Sequence, residues 1–216
     1  MTELDPPAEP ASVPVKTSYH HGDLRRALVQ AAEDLLCERG PGGVTLRGAA
    51  TRAGVSSAAP YRHFVDKDAL LVAVALRGYS ALQDHVRAAP RMAGTVEAIH
   101  DLVRAYAEFA TDHPQLYRLM MGAGITDRDQ YAELTEAHDE TCAILIDAVA
   151  EAQQHGALIE QNPVSIAMTL WCMVHGLVTL VIDGRIPPDD VKAEVELSLT
   201  IVDQGLRHRP DGGPSL

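Results

Sequence analysis

Between residues 45 and 67 the chain reads TLRGAATRAGVSSAAPYRHFVDK, where the hydroxyls of Thr45, Ser56, Ser57 and Tyr61 stand among the cations Arg47 and Lys67 and the imidazole of His63. Hydroxyls and cations suit phosphate oxygens, and small side chains such as Ser56, Ser57 and Ala58 allow close approach to base edges and contact with a thymine methyl. A second set lies further on. Tyr131, Leu134, His138, Cys142, Leu145 and Val149 recur every three or four residues, which places His138 and Cys142 one helical turn apart on an apolar stripe. A polar group buried there needs a partner. Trp171 and His175 are also four apart, and Tyr106, Phe109, Tyr117, Met120 and Met121 add aromatic and flexible apolar surface. These residues serve equally well as ordinary core or as the wall of a pocket for an uncharged, hydrophobic or aromatic molecule. The expected lining is Tyr106, Phe109, Met120, His138, Cys142, Leu145, Trp171 and His175.

Other chemistries have little support. The chain has no G-x-S-x-G, no H-E-x-x-H and no phosphate loop, so no enzyme is expected. His138, Cys142 and His175 form no dense ligand motif, and neither a metal nor a cofactor is expected. The three cysteines, Cys37, Cys142 and Cys172, are widely spaced in apolar helical patterns, which argues against a disulfide framework and for a reducing, cytoplasmic setting.

The elements that must position the first set read as a helix-turn-helix. Thr45 is a good N-cap; Leu46, Ala49 and Ala50 share one face; Gly54 can take the left-handed backbone of a helix end, and Val55 plugs the angle. Ser56 or Ser57 then caps a second short helix over 56–64, with Pro60 near its first turn, and Asp66 opens a new one. Upstream, Leu24, Ala27, Leu28, Ala31, Ala32, Leu35 and Leu36 form the stripe of a packing helix that ends at Gly40. The full reading is nine helices over 23–39, 45–53, 56–64, 66–88, 95–112, 114–122, 127–155, 163–183 and 188–207, and no strands. The fold class expected is therefore all-α. Residues 164–182 are nearly all apolar and close to spanning length, but polar residues interrupt them and basic flanks are lacking, so a buried or interface helix is preferred to a membrane span.

Charge is divided along the chain. The net charge is −12, yet residues 16–90 carry ten bases against seven acids, whereas residues 91–216 carry eight bases against twenty acids. One end is thus suited to phosphate and the other is not, and an acidic body weakens indiscriminate sticking to DNA. The first fifteen residues hold three acids, no base and many prolines, which reads as a disordered tail and not a signal peptide.

Residues 19–78, YHHGDLRRALVQAAEDLLCERG followed by VTLRGAATRAGVSSAAPYRHFVDKDALLVAVALRG, resemble the DNA-binding domain of the TetR family of bacterial transcriptional regulators. The later TLWCMVHGLVTLV, with Trp171 and His175-Gly176, is similar to the C-terminal domain of one branch of that family. The resemblance implies a tail at 1–18, a three-helix helix-turn-helix domain at 19–66, an α-helical ligand-binding and dimerisation domain at 67–208 joined through a long helix, and a tail at 209–216. It makes Tyr61, His63 and Lys67 matching phosphate-contact positions; placement at the ends and exposed face of the helix-turn-helix adds Thr45, Arg47, Ser56, Ser57 and Ala58 to the DNA face, and Lys16, Tyr19, His20 and Arg25 are suited to an arm on the backbone, although Lys16 and Tyr19 suit a solvated tail equally. The partners it implies are a double-stranded, palindromic operator, a small-molecule effector and a second copy of the chain, with release of a repressor on effector binding. A constitutive regulator, an activator, or a helix-turn-helix kept as a protein-binding adaptor would share most of these features.

Overall fold

The computed structural model describes residues 21–90 and 92–206. The tails expected at 1–18 and 209–216, and Lys16, Tyr19 and His20 of the candidate arm, lie outside the described residues. Eight α-helices fill the described part: α1 (His21–Arg39), α2 (Leu46–Arg52), α3 (Lys67–Ala88), α4 (Val96–Asp112), α5 (Pro114–Met120), α6 (Ala132–Gln154), α7 (Pro163–Ile182) and α8 (Val191–Leu206), with no strand element among them.

Side-chain oxygens open several of these helices by accepting an orphan N–H of the first turn. Thr45 accepts from Gly48 at 2.9 Å, Asp66 from Ala69 at 2.8 Å, Thr95 from Ala98 at 3.1 Å and Asn162 from Val164 at 2.9 Å. Loss of such a cap costs about 1 kcal/mol. The end of α2 is closed by Gly54 at φ 69°: the Gly54 N–H reaches the Thr51 carbonyl and the Val55 N–H reaches that of Ala50, the paired bonds of a Schellman motif.

Apolar stripes decide the packing. Leu28, Ala32, Leu35 and Leu36 of α1 are buried, and α1 rests on α2 and on the start of α3. Leu70 to Ala75 of α3 are all buried because α3 is surrounded, by α1 near its start and by α4, α5 and α6 further on. Gly78 permits the approach of α5: a Cβ there would meet the Met120 sulfur at 2.8 Å and Leu116 at 3.0 Å. Gln83, the buried polar residue of this helix, donates to the Ala137 carbonyl at 3.2 Å and to the Thr141 hydroxyl at 3.1 Å, so α3 and α6 are joined by a satisfied contact. α7 is long and apolar enough to cross a membrane by length and composition. Ile166, Ala167, Leu170, Val174, Val178 and Val181 face the protein core, where α7 packs on α4, α6 and α8.

Three helix expectations need correction. Residues 56–64 form no α-helix; they make a turn and then a 3-10 helix at Pro60–Arg62. Pro60 has no N–H to give the Ser56 carbonyl, which accepts from Ala59 at 3.0 Å instead, and neither serine caps a helix, since Ala59 occupies that place with no side-chain capping bond. The helix expected over 127–155 begins only at Ala132, because Asp127 takes left-handed φ 46° and a 3-10 turn at Arg128–Gln130 intervenes. The helix expected at 188–207 likewise starts as a 3-10 turn at Pro188–Asp190, and α8 proper runs from Val191 to Leu206.

Candidate functional site

The surface around α2 and the 60–62 turn gathers the first set of residues. Thr45, Arg47, Ser56, Ser57 and Ala58 are exposed, Tyr61 is 57% exposed, and His63 and Lys67 are half-buried. Thr45 accepts the Gly48 N–H, which leaves its O–H free to donate. Phe64 is buried beneath this surface, with the Arg25 guanidinium 5.3 Å above its ring. Arg25 itself is exposed. A clamp absent from the sequence reading holds α2 to α1: Arg52 donates to both carboxylate oxygens of Glu38 at 2.7 Å. The partners are 14 residues apart, so no helical spacing announces them.

The second set surrounds a cavity of about 70 Å³ between α3, α4, α6 and α7. That is several times the space one water needs. Tyr106, His138, Cys142, Leu145 and Trp171 stand on its wall, together with Tyr79, Leu82, Thr141 and Met168, which sequence reasoning missed. The missed α3 residues sit on a helix that the sequence presents as a connector.

Three expected lining residues lie elsewhere. Phe109 packs with the rings of His85 and His113, at 6.0 and 4.8 Å. Met120 is fully buried beneath Gly78. His175 stands behind the wall: its ring stacks on Trp171 at 4.8 Å, and Nδ1 is 2.6 Å from the Tyr117 hydroxyl, itself 2.9 Å from that of Tyr106. Helical spacing identifies the inward face correctly in each case but not which neighbour covers it.

Burial sets the protonation of this network. It pushes Tyr106 up to about 12 and raises Tyr117 further, while burial and the neighbouring His138 lower His175. The Tyr106 hydroxyl, the Tyr117 hydroxyl and Nδ1 of a neutral His175 thus form one hydrogen-bonded chain. Cys142 Sγ lies 3.7 Å from His138 Nε2, but burial and then Asp139 raise the thiol, which stays protonated. Among the described residues no three His, Cys, Asp or Glu side chains converge as metal ligands.

A polar surface built from α2 and the Pro60–Arg62 turn is thus joined by α3 to a helical body with an apolar cavity, and the family matches make this the arrangement of a transcriptional regulator. Residues 28–74 match the family of bacterial regulatory proteins, tetR family, and residues 99–202 match the tetracyclin repressor-like, C-terminal domain. A protein with unknown function from Rhodococcus sp. RHA1 is 31% identical, with 89% of this chain and 100% of that chain covered and a TM-score of 0.76. The fold is shared with the TetR family transcriptional regulator PfmR from Thermus thermophilus, at 18% identity, 84% and 99% coverage and a TM-score of 0.65. It is shared too with the fatty acid degradation regulator FadR from Bacillus halodurans, at 17% identity, 88% and 100% coverage and a TM-score of 0.70. The chain belongs to the TetR family, and its fold and domains are those of a regulator and not of an enzyme.

Proposed function

We propose that this protein is a homodimeric, cytoplasmic repressor that leaves a palindromic operator when a small hydrophobic or aromatic effector fills the cavity between α3, α4, α6 and α7. The observation that carries the reading is that one helix, α3, begins beside the exposed Tyr61 and ends against the cavity through Tyr79, Leu82 and Val86. A ligand that favours one tilt of α3 also selects one spacing of the two recognition segments. The division falls at 66/67, with the DNA-binding unit before it and the effector-binding and dimerising unit after it. Thr45, Arg47, Ser56, Ser57, Ala58, Tyr61, His63 and Lys67 form the DNA face, and Tyr106, His138, Cys142, Leu145 and Trp171 meet the effector.

Dimerisation uses α7 and α8. Val164, Met168, Cys172, Gly176 and Leu180 are exposed and recur every fourth residue on α7, and Leu197 and Ile201 continue the apolar face on α8. Leu170, Val174, Val181 and Leu199 on the same two helices are buried inside the protomer. A second copy of the chain covers the stripe as a four-helix contact. The experiment is a gel shift against the intergenic DNA beside the protein's own gene, with a ligand found by thermal shift added to a second series. Retardation in the first series and its loss in the second are expected; no retardation of that DNA at submicromolar protein would overturn the reading.

A further inference from the structure

The mouth of the cavity and the proposed dimer face share side chains. Val164 and Met168 of α7 line the cavity, yet they are 48% and 50% exposed and begin the stripe that runs on to Leu180. Across the mouth, α6 is thinly covered by its own chain. No residue between Leu134 and Ala148 is buried, and the successive Ile144, Leu145 and Ile146 are each half-buried cavity lining. Consecutive residues on a helix point in different directions, so a packed surface helix buries one and exposes another. Three apolar neighbours share partial exposure here because the helix runs beside an open space.

Charge decides from which side this rim can be covered. Glu133, Glu136, Asp139, Glu140 and Asp147 are exposed on α6, and the helix has no Lys or Arg to offset them, so two α6 helices repel. From Pro163 to Ile182, α7 carries no Asp, Glu, Lys or Arg. The rim formed by Val164 and Met168 therefore continues into uncharged, apolar surface on the α7 side alone.

We propose that the second copy of the chain closes the mouth of the cavity over Val164 and Met168, so that the effector site is complete only in the dimer. This rests on the dimeric reading above and adds that the interface is also a wall of the site. The occupant is the copy that covers the rest of the α7 and α8 stripe, because rim and stripe are one continuous apolar surface. Closure takes the rim out of water and encloses an apolar ligand that a single copy leaves partly in solvent. An effector held there touches both copies where their spacing is set, and by linkage effector binding and dimerisation strengthen each other.

Cys142 reports whether the mouth is open, because its side chain lies on the cavity wall. The test is the rate at which N-ethylmaleimide, a small uncharged probe, labels it in the full-length chain. Cys37→Ser and Cys172→Ala leave Cys142 as the one thiol, and sedimentation velocity gives the oligomeric state. Leu180→Glu with Ile201→Glu, both exposed and neither on the cavity wall, supplies the monomer. Labelling is expected to be about tenfold or more slower in the dimer than in the monomer, since the probe must wait for the copies to part. Dilution of the single-thiol protein through its own dissociation should show the same rise without the glutamates, so the answer stands where that variant fails to fold. Equal, fast rates in dimer and monomer would overturn the inference and leave the dimeric, effector-responsive reading standing. Slow labelling in both would place the cover within one chain and overturn it as well. A parent protein that is monomeric at micromolar concentration would overturn the dimeric reading, and this inference with it.

Discussion

At the scale of single residues, Tyr61 and Lys67 carry the most direct consequences for DNA. Tyr61→Phe and Lys67→Ala should each weaken operator binding, and Lys67→Ala should lower the slope of log affinity against log salt by about one, read by fluorescence anisotropy at several salt concentrations. Unchanged affinity and slope in both would remove this surface from the contact. His175 gives a second test, through pH. Its basicity is lowered from the ordinary 6.5 by burial and by His138, so the unfolded chain takes up its proton first on acidification. Its contribution to stability is therefore present above about pH 6.5 and lost as pH falls below that value. His175→Asn should flatten this part of the Tm-against-pH curve relative to the parent; an unaltered curve would contradict the neutral, Tyr117-bonded imidazole. Spacing in the sequence brought Tyr106, His138, Cys142, Leu145 and Trp171 to one cavity wall. It failed for Phe109, Met120 and His175, because periodicity assigns a face and not the side chain that covers it.

At the scale of elements, the segment between α5 and α6 links the two ends of the molecule. Arg128 on this segment touches Tyr79, and two residues earlier the Thr126 N–H donates to the Asp68 carboxylate at 2.9 Å, in the first turn of α3 beside Lys67. A shift at the cavity edge therefore reaches the start of α3 through one short strap as well as along the helix. Asp68→Ala should leave effector affinity within about twofold but reduce effector-driven loss of operator affinity, which for a coupling of about 1 to 3 kcal/mol is about 5- to 150-fold in the parent. Equal release in variant and parent would remove the strap from the coupling. The long helices were legible from their stripes and caps, as Thr45, Asp66, Thr95 and Asn162 illustrate. The recognition segment and the strap were not: Pro60 and the left-handed Asp127 break the backbone where the surrounding side chains still follow a helical rhythm.

At the scale of the whole molecule, the division of charge and the open stripe of α7 and α8 belong together. In the proposed dimer a second copy covers the apolar stripe, and Arg104 with Glu196 and His100 with Asp203 fix α8 on α4 so that the stripe is presented as a unit. Met168→Glu together with Leu180→Glu should shift the protein to monomer at micromolar concentration in sedimentation velocity and lower operator affinity with it; a parent protein already monomeric there would contradict the dimer. The charge division and the all-α architecture were legible in the sequence. The composition of the open face was only partly so, since Leu170 and Leu180 look alike until their neighbours are known.

Linkage between operator and effector tests the central claim most directly. Operator affinity is measured with and without saturating effector, and effector affinity with and without saturating operator. The account predicts that effector weakens operator binding and that operator weakens effector binding by the same factor. An effector that binds the cavity, as judged by loss of affinity in Trp171→Ala with fold and dimer intact, yet leaves operator affinity unaltered would contradict it.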